Sequence, residues 1–113
     1  MFVYNLKALI STLRSRNYPD EWYLADFIEN NIATLSAEDA FNGASVVLDM
    51  FSTEKHAIYE LLMILQALHR QSDTTQIPIF LVSNPNTFDN LYSRNNESDL
   101  QDLIKDIKQL YQR

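Results

Sequence analysis

The chain has 113 residues, 46% of them apolar, and a formal net charge of −6, which fits one ordinary domain, residues 1–113, with enough apolar material for a core. It has no cysteine, so disulfides, thiolate metal sites and cysteine nucleophiles are excluded. One glycine, Gly43, cannot build a phosphate-cradling loop or a dinucleotide fingerprint, and nine basic residues against fifteen acidic ones argue against a nucleic-acid partner.

From the N-terminus, Leu6, Leu9, Ile10 and Leu13 repeat at spacings of three and four, which predicts a helix over 5–16 with Asn5 as its cap. Met1 to Tyr4 reads as a first strand or as part of that helix. Asn17 and Tyr18 break the pattern. Pro19 opens a second helix with Asp20 and Glu21 in its first turn and an apolar stripe of Leu24, Phe27, Ile28, Ile32 and Leu35. Ser36 caps a short third helix, AEDAFNG, which Gly43 is expected to stop.

ASVVLDMF, residues 44–51, then resembles a buried strand; a helix running through Gly43 is the competing reading. Thr53 and Glu54 open a long helix to about Gln71, whose apolar face is wide enough to be covered by neighbours or packed on a sheet. IPIFLVS, residues 77–83, is short, apolar and partly β-branched, bounded by polar turns, and reads as a second strand. Residues 84–96 read as irregular, with one turn of helix over 87–92. Ser98 and Gln101 form a capping-box pair for a last helix with Leu100, Leu103, Ile104, Ile107, Leu110 and Tyr111 on its core face.

Strand, long helix and strand make a βαβ unit with a right-handed crossover. The expected architecture is α/β: a small parallel sheet of two to four strands flanked by helices, with an all-α bundle as the alternative. The start of the chain lacks the basic residues and cleavage site of a secretory signal, and the longest apolar stretch, Leu61 to Leu65, is far below the roughly 20 residues that span a bilayer. A cytoplasmic protein without membrane association is expected.

The charge is unevenly placed. Residues 17–54 contain no Lys or Arg but hold eight acids: Asp20, Glu21, Asp26, Glu29, Glu38, Asp39, Asp49 and Glu54. Trp22, Tyr23 and Phe27 lie among them. Clustered like charges repel, and a basic partner relieves that repulsion and is steered in by it. Aromatic residues supply anchors at protein interfaces. Asp20, Glu21, Trp22, Tyr23, Asp26 and Glu29 are therefore the candidate partner-binding residues. No catalytic residue, metal or cofactor is assigned: His56 and His69 fall about 140° apart on one helix and cannot share an ion, and no serine stands in a glycine-flanked nucleophile turn.

Two resemblances follow from these residues. The order AEDAF, ASVVLDMF, helix, IPIFLVS over residues 37–84 resembles response-regulator receiver domains, with Asp49 where their phosphate-accepting aspartate lies and Ser83 where their Ser/Thr lies. FVYN carries no acidic pair after it, so the resemblance implies an unphosphorylated receiver-like signalling or adaptor domain. In size, acidity and layout the chain also resembles small bacterial immunity proteins of the barstar type, which present acids and aromatics from an early helical region to a basic nuclease; YPDEWYLADFIENN occupies that region here. That resemblance implies a non-enzymatic inhibitor of a basic toxin, and it is the leading functional expectation.

Overall fold

The apolar runs of the chain fold as helix. A computed structural model describes residues 2–14, 22–55 and 57–111. They form α1 (Phe2–Arg14), α2 (Tyr23–Asn31), α3 (Ala37–Met50), α4 (Ile58–Ser72), α5 (Ile79–Ser83), α6 (Thr87–Arg94) and α7 (Ser98–Leu110), with no strand among the described residues. The α/β expectation is thereby corrected to an all-α fold. Phe2 to Tyr4 belong to α1, and Pro19 lies outside the described residues.

The correction begins at Gly43. The buried residues of α3 are Ala40, Gly43, Ala44, Val47 and Leu48, which is the i, i+3, i+4, i+7, i+8 stripe of an amphipathic helix. The small residues carry that stripe straight through the glycine, so Val46 to Leu48 are its last turn and not a strand. The start is as expected: the Asp39 N–H donates to Ser36 Oγ at 3.1 Å, and Glu38 and Asp39 occupy the first turn, where the helix dipole favours negative charge.

A lone strand cannot satisfy its backbone. With residues 44–50 helical, IPIFLVS has no neighbour to pair with and closes its hydrogen bonds locally. The Leu81 and Val82 N–H groups donate to the Pro78 carbonyl at 3.0 and 3.1 Å, and the Asn84 N–H donates to that of Phe80 at 2.9 Å. The one-turn helix α5 is fixed to α3 by the Phe80 N–H, which donates to Ser45 Oγ at 3.3 Å.

The centre of the molecule is α4. Ile58, Leu61, Leu62, Ile64, Leu65 and Leu68 are buried over an arc of about 160°, close to half its circumference, because α3, α7 and α2 all pack on it. It starts four residues later than its sequence suggests: Phe51 to Thr53 form turns off the end of α3, and Glu54 is buried. It ends where Asp73 adopts the left-handed conformation, φ 49° and ψ 44°, with the Arg70 cation placed favourably in the last turn.

Polar side chains tie the helices at their ends. Asn5, which lies inside α1 and caps nothing, donates to Asn31 Oδ1 at 2.7 Å, and Asn31 Nδ2 donates to the Phe27 carbonyl at 3.1 Å. Gln71 Nε2 reaches the carbonyls of Leu35 at 2.7 Å and Ala33 at 3.2 Å, joining the turn after α2 to α4. The Arg94 guanidinium donates to the Phe51 carbonyl at the C-terminal end of α3, a charge-assisted cap of the right sign. At α7 the cap position is Glu97, and Gln101 Nε2 donates to the Asn95 carbonyl at 2.7 Å in place of the expected pairing with Ser98. Ile104, Ile107 and Tyr111 face the core, while Leu110 is partly exposed, at 37%.

His69 packs edge-on against Tyr111, with ring centroids 4.9 Å apart. Burial disfavours the imidazolium and lowers the His69 pKa below its ordinary 6.5. As pH falls, the unfolded chain takes up this proton before the folded one does. The contribution of His69 is therefore fully present above about pH 6.5 and is lost as pH falls from there through the folded value. Thermal melts of the wild type and His69→Gln between about pH 7.5 and pH 5 should run parallel above that point, with the wild type falling faster below it. Parallel curves throughout would remove His69 as a source of pH dependence.

Candidate functional site

The described acids of residues 17–54 do not make one face. Asp20 and Glu21 lie outside the described residues. Glu54 is only 2% exposed and belongs to the interior, and Glu38 and Asp39 serve the start of α3. The aromatic part of the expectation is better placed. Trp22, directly before α2, is 64% exposed. Tyr23 is half-buried, and its hydroxyl donates to Glu60 Oε1 at 3.3 Å, fixing the start of α2 against the start of α4. Asp26 and Glu29 are exposed on α2.

Glu60 also lines an acidic groove that α4 shares with α7. The groove has a volume of about 660 Å³. Its floor is apolar, with Ile58, Met63, Leu100 and Leu103, and Tyr59 stands 52% exposed beside it. Glu60, Glu97, Asp99, Asp102 and Asp106 line it, against one cation, Lys55. Asp99, Asp102 and Asp106 share a helix face because they are three and four residues apart.

The lysines of α7 point elsewhere. Lys105 Nζ lies 5.3 Å from the centroid of the Tyr92 ring, and Lys108 Nζ is 2.8 Å from Asp89 Oδ1, both partners being on α6. Thus α7 is close to neutral in sum but sorted in space, with carboxylates toward the groove and ammonium groups toward α6. The periodicity of the three aspartates is the sequence signal that could have found this surface; a count of net charge along the chain hides it.

A second surface surrounds α5. Ile79 is 72% and Val82 66% exposed. They border a depression of about 740 Å³ lined by Phe41, Ile77, Leu81, Pro85, Phe88 and Tyr111, with Lys108 as the only charged residue among the described residues there.

Asp49 is exposed in the last turn of α3 and Ser83 ends α5, so neither stands at the end of a strand, as the receiver layout requires. The strands of the barstar-type layout are likewise helices α3 and α5. Among the described residues no group of three or more His, Asp or Glu side chains is arranged to hold a metal ion, and no helix is long and apolar enough to cross a membrane. No protein-family model, curated protein or solved structure matches the chain.

Proposed function

We propose that this protein is a protein-binding domain whose acidic and aromatic groove receives a basic partner, acting as an inhibitor of the kind that immunity proteins exemplify, with a basic toxin such as a nuclease as the partner. The observation that carries this reading is the convergence of Tyr59, Glu60, Asp99, Asp102 and Asp106 around an apolar floor, with Tyr23 joined to it through Glu60. Carboxylates on the rim steer and orient a cationic surface, while the apolar floor and aromatic side chains supply the area that holds it.

The test is direct. A partner is cross-linked in the source cells, identified, purified and titrated back onto the full chain. The double variant Asp102→Lys/Asp106→Lys should weaken binding at least tenfold, or about 1.4 kcal/mol, mainly through a slower association rate, and wild-type affinity should fall as salt shortens the Debye length. The bound partner should lose its own enzymatic activity in a one-to-one complex. Affinity indifferent to both salt and the double substitution would overturn the proposal.

A further inference from the structure

The face around α5 is distinct from the acidic groove and needs its own account. Isolated exposed aliphatic residues are ordinary on protein surfaces; a contiguous apolar patch is not. Ile79 and Val82 are one helical turn apart, so they stand together as a ridge, and both are about two-thirds exposed or more. Beside this ridge lies the depression floored by Leu81, Phe88 and Phe41. The sequence supplied seven residues from Ile77 to Ser83 of which five are large and apolar, and the fold buries only Leu81 completely enough to count in the core.

We infer that this face is a two-fold interface with a second copy of the same chain. Two observations select that occupant. The first is shape. In an isologous contact each copy must offer both the projection and its receptacle on one patch; the Ile79–Val82 ridge and the adjoining depression meet that condition. The second is charge. Each chain carries a formal net charge of −6, so two copies repel unless they meet where carboxylates are absent. Among the described residues, the lining of the depression contains no carboxylate. Its border holds Lys108, already bonded to Asp89 at 2.8 Å. A two-fold axis across that border brings one ammonium and one carboxylate from each copy to the same seam, where each cation can meet the other copy's anion. That exposed pair contributes little to the monomer and is readily exchanged. The acidic groove between α4 and α7 has the opposite character, and two copies meeting there would set like charges against each other. The composition at α5, aliphatic and aromatic at the centre with charge at the edge, is that of homodimer interfaces.

Sedimentation velocity of the full chain over a wide range of micromolar concentrations should show a reversible dimer of twice the 13.2 kDa chain mass. Ile79→Glu and Val82→Glu should each raise the dissociation constant at least tenfold with unchanged helical circular dichroism, since both side chains face solvent within one copy. Because the chain has no cysteine, Val82→Cys introduces its only thiol; mild oxidation should cross-link two copies through it, while Tyr4→Cys, equally exposed on α1, should remain uncross-linked. A wild-type chain that stays monomeric at the highest concentration reached would overturn the inference. So would a dimer that both Glu variants leave intact. Neither result bears on the acidic groove, whose binding is measured separately with the aspartate variants.

Discussion

Leu65→Ala should remove about 3–5 kcal/mol of folding stability. Leu65 is fully buried at the middle of α4, and its backbone carbonyl also faces the Tyr111 hydroxyl at 3.5 Å. Truncation deletes the transfer free energy of three carbons and leaves a void between helices held in place by their other contacts, so relaxation fills little of it. Domains of this size are stable by about 5–15 kcal/mol in total, and the loss is a large part of that. Chemical denaturation should show a much lower midpoint at an unchanged slope, with a fall of roughly 10 °C or more in Tm. A loss below about 1 kcal/mol would mean that α4 is not the centre of the core.

The second large effect is at Gly43, where two substitutions should diverge. A Cβ placed there would lie 3.1 Å from Phe2 Cε2 and 3.4 Å from Leu68 Cδ2. For Gly43→Ala the crowding is against a half-buried ring near the start of the chain, which gives way by a small rotation. Replacing glycine inside a helix gains up to about 1 kcal/mol, so the net change should lie near zero or slightly favour the variant. Gly43→Leu has no such escape, because its extra carbons must enter the space of Leu68 and the Phe2 ring together. A loss of about 2–3 kcal/mol is expected, and Phe2→Ala in the same chain should recover part of it by vacating one side. Equal stability of Gly43→Leu and the wild type would show that α1 does not bear on α3 as described.

Much of this architecture is visible in the sequence, and the failures have a common cause. The amphipathic stripes of α1, α2, α4 and α7 rest on Leu, Ile and Phe at helical spacing, and such residues announce a face. The stripe of α3 rests on Ala40, Gly43 and Ala44, which are too small to register as apolar periodicity, so the bulky run Val46 to Leu48 stood out alone and imitated a strand. The second strand expectation then followed from the first, since IPIFLVS makes sense as a strand only beside another. Its actual form was settled by the absence of a partner, which is a tertiary fact. At the candidate site, Trp22 is exposed and Tyr23 half-buried. Most carboxylates of the groove come from α7, where Lys105 and Lys108 cancel the aspartates in any linear count and only folding separates them.

The α3–α4 pairing also governs how the chain reaches its native state. Helices adjacent in sequence, joined here by the seven residues 51–57, close with little loss of chain entropy. The most extensive packing of the molecule is therefore among its most local, as in rapidly folding helical proteins. A hairpin of residues 37–72 gives the flanking helices a preformed apolar surface, and α7, separated from α4 in the chain by two short helices, completes the groove by docking onto it. Assembly of the acidic surface is thus coupled to a long-range step of folding, and the surface comes into being only when α7 has closed over the core behind it.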